Sequence, residues 1–370
     1  MRFVKREELK EGSRLAKPIY NKRGVLLYDR GSVLTSKVIN SVYNFGLIGV
    51  YVLGPDEPLP EMSQEDLDRE KFCSISEFAL MDELMCMHRM GKFIKLRYLA
   101  DTYISEFRRV DHPIDFVQNI RGAEDYVFKH SSNVAIFSAL IGSKLGLHNE
   151  EKTTAILAAL VHDVGKLNIP MMMLRKPVLT DEDIEKMKKY EFDGSELIDK
   201  CFMSSPGVKR AMVQAYKHID AFENNREPEK GKLVLTSKIL IVADMFDRMT
   251  AMDLRNEPVS YIAALKRLIS NPHWFDPEVV KALSSCLVFL SEGTCVNLTS
   301  GEKAIVLEPD QDNIFKPLVL LASNNKVVDL ARNSDYRNVE VSDVTKEYDS
   351  RYVLDKTTIN RLKETEAAEA

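Results

Sequence analysis

At 370 residues the chain exceeds the usual size of one compact domain, so a main core with smaller satellites is expected; 51 Lys+Arg against 56 Asp+Glu leave a net charge of −5, and without a long basic run it lacks the electrostatic footprint of a nucleic-acid binder. Apolar residues at 45% and charged residues at 29% exclude a mostly disordered chain. The five cysteines, Cys73, Cys86, Cys201, Cys286 and Cys295, are scattered and form no CxxC pair, which argues against a disulfide framework or a zinc-thiolate site.

In chain order, Met1 to Glu8 turns charged before any apolar run begins, so no secretory leader is read there. No apolar stretch reaches the ~18 residues of a membrane helix. A cytoplasmic setting without membrane contact is the expectation. Residues 1–53 alternate short apolar bursts (Ile19-Tyr20, Val25 to Leu27, Val33-Leu34, Ile48 to Val52) with glycines and charged turns, which predicts a small β-rich domain around one helix near Ser36 to Phe45. Pro55, Pro58 and Pro60 mark 54–65 as a linker. From 66 to 298 apolar residues recur at i, i+3, i+4 and i+7, as in Val134, Phe137, Leu140, Ile141 and Leu145, and predict a helical domain with its core at 123–290. Residues 299–342 return to strand-like runs at Ala304 to Leu307, Leu318 to Leu321 and Val327-Val328. Residues 343–370 form a charged tail that frays or makes a marginal helix. The fold class is mainly α, a helical domain flanked by a small N-terminal α/β domain and a short C-terminal β-rich segment.

The informative stretch runs from Leu160 to Pro170. An apolar helical face arrives at His162-Asp163 and is stopped at once by Gly165, so an imidazole and a carboxylate lie near a helix end against the core, a costly placement unless something pairs with them. A divalent cation offsets that cost, and imidazole nitrogen with carboxylate oxygen suits Mn²⁺, Fe²⁺, Zn²⁺ or Mg²⁺. His130 stands 32 residues before His162, at the start of the run Ser131 to Leu145, and Asp244 stands 81 residues after Asp163, closing Ile239 to Ala243. Two His and two Asp from three helices would leave positions open for water and a phosphate oxygen, which is what phosphoester hydrolysis needs. Lys166 either contacts that phosphate or caps the last carbonyls of its helix. Met81, Met85, Met87 and Met90, with Met171 to Met173, read as adaptable core or interface residues.

His130, His162-Asp163 and Asp244 resemble the H…HD…D pattern of the HD phosphohydrolase superfamily. The surrounding blocks narrow the likeness: Asp125-Tyr126, His130-Ser131, Asn133 to Ala135, His162 to Lys166, Ile169-Pro170, Leu174 with Lys176-Pro177, Leu179-Thr180, and Val242 to Asp244 with Phe246-Asp247. From Ala123 to Leu290 the chain resembles the HD-GYP family, which hydrolyses the bacterial second messenger cyclic di-GMP using two or three metals. Val4 to Val52 also resembles the small domain that often precedes HD-GYP domains. Against that pattern, two ligands of the family's second metal fall on Tyr190 and Ile219, neither of which readily holds a divalent ion. The Gly-Tyr of the family signature reads Arg226-Glu227, and the family's arginine after Asp247 falls on Asp253, with Arg255 two residues later. His218 keeps its register and stands as ligand, substrate contact or relic.

The resemblance implies an HD-type helical fold and a metal-dependent phosphodiesterase of reduced or altered activity toward cyclic di-GMP or another phosphoester. Its metal ligands would be His130, His162, Asp163, Asp244 and His218, holding one divalent ion. Asp163 would orient the attacking water and Lys166 would steady the phosphate charge. The alternative is a catalytically inactive HD-GYP-like module of bacterial signalling that senses a nucleotide or meets a signalling protein.

Overall fold

The short apolar bursts near the N-terminus become strands that bury Leu15, Ile19, Val50 and Val52 in a small core of their own. β1 (Arg2–Lys5), β5 (Gly49–Leu53) and β2 (Arg14–Leu15) form an antiparallel sheet in the order β1-β5-β2, and β3 (Ile19–Tyr20) pairs with β4 (Leu26–Tyr28). α1 (Ser36–Asn44) lays Val38 and Val42, one helical turn apart, on Leu15, Val50 and Val52. The structure is a computed structural model and describes residues 2–20, 25–44, 49–53, 59, 64–108, 112–116, 121, 125–176, 178–203, 205–228, 231–251, 257–345 and 356–369. Most of the proline-rich segment, with Pro177, Asp253 and Arg255, lies outside the described residues.

Helices follow. α2 (Gln64–Met90) and α3 (Leu96–Glu106) cover α4 (Tyr126–Lys144), which also packs on α5 (Asn149–Val161), α9 (Leu235–Thr250) and α11 (Pro277–Ser284). The expectation of a single apolar face on α4 is too narrow. Every residue from His130 to Gly142 is buried, because Ser131, Ser132, Ala135, Ser138, Ala139 and Gly142 are small enough to let helices approach from all sides. Lys17 meets this helical layer from the N-terminal strands, its ammonium facing Glu70, Asp115, Cys73 and Glu77; burial brings its pKa down to about 8 against the pull of those acids.

The C-terminal strands begin earlier and end later than the 299–342 expectation. β6 (Cys295–Leu298), β7 (Lys303–Glu308), β8 (Leu318–Leu321), β9 (Val327–Asp329) and β10 (Val341–Val344) form one antiparallel sheet in the order β10-β6-β7-β8-β9. β6 and β10 are four-residue strands mixing polar and apolar side chains, too short for periodicity to reveal. Ala304, Val306, Val319 and Leu321 join the helical core, whereas Ile305, Leu307 and Leu320 face the other way, onto Ile359 of α12 (Lys356–Glu369). The tail helix is therefore docked rather than marginal, held by buried Ile359, by Leu362 beside it and by the ion pair of Lys363 with Glu292, contacts that a charged sequence conceals. Among the described residues, no helix is long and apolar enough to cross a membrane.

One glycine fixes the geometry next to the metal-ligand candidates. After α5 the chain makes a 3-10 turn, Val164–Asn168, whose backbone lies against α7 (Asp181–Cys201). A Cβ at Gly165 would stand 2.5 Å from the Glu191 carbonyl oxygen and 2.9 Å from its Cα. Gly165→Ala is expected to cost about 1–3 kcal/mol, as overpacking against backbone does, seen as a lower urea midpoint.

Candidate metal centre

Three helices aim the predicted residues at one point. His130 sits in the second turn of α4, His162 caps the C-terminus of α5 with Asp163 next, and Asp244 occupies the middle of α9 rather than its end, because Met245, Phe246 and Asp247 continue the buried face. His162 Nδ1 lies 2.7 Å from the Ala159 carbonyl, which can only accept, so Nδ1 carries the proton and Nε2 offers a lone pair. His130 Nδ1 donates to Asp247 Oδ2 at 2.6 Å, which frees its Nε2 in the same way. The two Nε2 atoms stand 3.1 Å apart. Asp244 Oδ1 is 2.8 Å from His130 Nε2 and 3.3 Å from His162 Nε2, and Asp163 Oδ2 is 3.4 Å from His130 Nε2.

Either a cation among these nitrogens and oxygens or protons on the imidazoles must hold them at such distances; although burial lowers the His130 pKa, its hydrogen bonds to Asp244 and Asp247 raise it on balance. Ligand atoms around an octahedral ion with bonds of about 2.1 Å stand about 3 Å apart, the separation found here. Asp244 Oδ2 is buried, with the Arg248 Nε 3.0 Å away as the positive charge beside it. Among the described residues, His130, His162 and Asp163 are the group whose ligand atoms all fall within 4.8 Å of one another, and Asp244 touches both imidazoles. The donor set fits a borderline or hard divalent ion.

The electrostatics keep the acids ionised. Burial would raise Asp163, but Lys166, with Nζ 2.7 Å from Oδ2, and then His162 and His130 hold it well below the usual carboxylate range. For Asp244, burial is outweighed by Arg248 and by the two imidazoles. Asp247, also buried, is held down by Arg121, whose Nη1 and Nη2 donate to its two oxygens at 2.7 and 2.6 Å, and by His130. Asn133 adds a hydrogen bond to Asp247 at 3.1 Å. Tyr126 stacks on His130 with ring centroids 5.4 Å apart, and burial pushes its phenol up to about 12, so it remains neutral.

A family model for the HD domain matches residues 119–279. A cyclic di-GMP phosphodiesterase of Pseudomonas aeruginosa is 23% identical over 270 residues, 72% of this chain and 65% of its own. A cyclic di-GMP phosphodiesterase response regulator of Xanthomonas campestris pv. campestris is 30% identical over 44% of this chain and 43% of its own, and a 3'3'-cGAMP-specific phosphodiesterase of Vibrio cholerae 28% identical over 45% and 36%. Residues 119–279 are thus similar to HD domains, in line with the resemblance carried by His130, His162-Asp163 and Asp244. The chain spans less than two thirds of the length of each of these relatives.

Compared with the HD-GYP pattern, the side chains at the second-metal positions are turned to other uses. Ile219 is packed in the apolar core, and Tyr190 is half-buried on α7. His218, on α8 (Pro206–Glu223), lies outside the grouping; its Nε2 donates to the Trp274 carbonyl at 2.8 Å and its ring is edge-on to Trp274. Lys166 pairs with Asp163 and stands 4.0 Å from Glu191, so of its two readings the helix-capping one gives way to an ion pair. Of the methionines, Met87 is fully buried, but Met172 is 83% exposed and belongs to no core. Sequence reasoning left Arg121, Arg248 and Glu191 unassigned and quoted Asn133 and Asp247 only as parts of blocks. The i+3 and i+4 spacing from Asp244 marks Asp247 and Arg248 as neighbours on α9; nothing local marks Arg121.

Proposed function

We propose that this chain is an HD-GYP-like, metal-dependent phosphodiesterase of cyclic dinucleotides, working with one divalent ion held by His130, His162, Asp163 and Asp244. The observation that supports this most is the convergence of two imidazole Nε2 atoms, 3.1 Å apart, with Asp244 Oδ1 against both. A bound ion would lower the pKa of its water and polarise the phosphoryl oxygen. The protein's own groups supply the rest. Asp163, kept ionised by Lys166, accepts a hydrogen bond from the attacking water and orients it. Lys166, half-sunk beside it, faces the charge that grows on phosphorus oxygens. Asp247 and the Ala159 carbonyl fix both imidazoles in the tautomer that keeps Nε2 free.

A second reading, a nucleotide-binding module without turnover, draws support from a different observation. Each buried carboxylate already has a basic partner: Asp163 with Lys166, Asp244 with Arg248, Asp247 with Arg121. Elemental analysis and hydrolysis assays decide between them. The phosphodiesterase reading expects about one equivalent of metal, hydrolysis of cyclic di-GMP or 3'3'-cGAMP with Mn²⁺ or Fe²⁺, and loss of both in His162→Ala. Calorimetric binding of either dinucleotide without metal or hydrolysis favours the second reading, and no binding at all removes both.

A further inference from the structure

We infer that Arg248 is the anion-recognising side chain of this centre, holding a phosphate oxygen of the ligand with the outer edge of its guanidinium. The inference rests on the metal-centre reading and extends it to a residue outside the ligand set. Arg248 lies one turn beyond Asp244 on α9, so the two side chains share a helix face. Its Nε stands 3.1 Å from Asp244 Oδ1 and 3.0 Å from Oδ2, and its Nη1 donates to Glu223 Oε1 at 3.2 Å. Nη2 has no hydrogen-bond partner among the described residues.

The three basic groups of the centre differ in what they leave available. Arg121 is wholly enclosed and cannot meet a ligand. Lys166, 17% exposed, is a point charge fixed to Asp163. Arg248 is 28% exposed, is anchored by Nε to the deepest acid, and shares Nη1 only with a carboxylate that is itself 48% exposed. An exposed pair of that kind is held weakly. A phosphate carries more charge than Glu223 and matches the planar fork of Nη1 and Nη2 with two oxygens, so it can displace that carboxylate without moving the Nε anchor. The chain has Ile219 and Tyr190 where second-metal ligands are expected and Asp253 in the expected arginine position. Arg248 brings positive charge to the centre from α9.

Inorganic phosphate is the probe, titrated calorimetrically into Mn²⁺-loaded and metal-free protein, with metal content measured in parallel. Arg248→Gln is expected to keep its metal and to bind phosphate about tenfold more weakly or worse, the usual cost of losing a charge-assisted hydrogen bond. Glu223→Gln is expected to bind it more tightly, since the competing carboxylate is gone, a change that a merely structural arginine would not produce. Should Arg248→Gln fail to fold, Arg248→Lys decides: charge without the fork is expected to weaken binding severalfold. Phosphate binding at wild-type strength in the folded variant overturns the inference. A wild-type protein that takes up no metal overturns the metal reading instead, and the same comparison in metal-free protein still decides the role of Arg248.

Discussion

Arg121→Ala is expected to destabilise the fold by about 3–5 kcal/mol, the cost of stranding one half of a buried ion pair. Both partners are fully buried, and Asp247 receives two guanidinium bonds as well as the bonds from His130 and Asn133. Removing Arg121 leaves a carboxylate with two remaining donors and no counter-charge. The guanidinium also stands 5.6 Å from the centre of the Tyr126 ring, so its loss loosens the aromatic group stacked on His130. The urea midpoint measures the loss. Arg121→Lys should recover part of it, because an ammonium keeps the charge but cannot bridge both oxygens. In the double variant Arg121→Met/Asp247→Leu, no buried charge is stranded, yet His130 Nδ1 and Asn133 lose their acceptor. The double variant should therefore fall between wild type and the single variant. Stability equal to wild type would mean the pair contributes nothing beyond filling space.

The elements that could be read from the sequence are those in which one local rule acts alone. α1 follows from Val38 and Val42 on one face, and the turn after Asp163 follows from Gly165. His130, His162, Asp163 and Asp244 stood out because polar groups inside apolar runs are costly to bury, and the structure brings their tips together. What escaped depends on contacts distant in sequence. Arg121 meets Asp247 across 126 residues, and neither carries a local sign of the other. β6 is recognisable only beside β7 and β10, and α12 only once Ile359 meets Ile305 and Leu320. The full burial of α4 could not be read from periodicity, since a small-residue face looks polar until other helices close on it.

Asp247→Asn separates folding from metal binding. The amide keeps the size of the carboxylate, but it is neutral, and its NH₂ must face either Arg121 or His130 Nδ1, both of which are donors. His130 then loses the anion that makes its Nε2 a good electron-pair donor, while every proposed ligand remains in place. Losing such an outer partner typically costs about 10–100-fold in metal affinity, and that is the expected drop, read by competition of Mn²⁺ against a fluorescent chelator. Asp244→Asn, which alters a proposed ligand directly, should cost more than Asp247→Asn. If the two rank the other way, the ion is not held through Asp244, and the four-residue ligand set has to be redrawn around His130, His162 and Asp163. If Asp247→Asn lowers stability but leaves Mn²⁺ affinity at the wild-type value, Asp247 serves only to neutralise Arg121, and the tautomer of His130 is set without it.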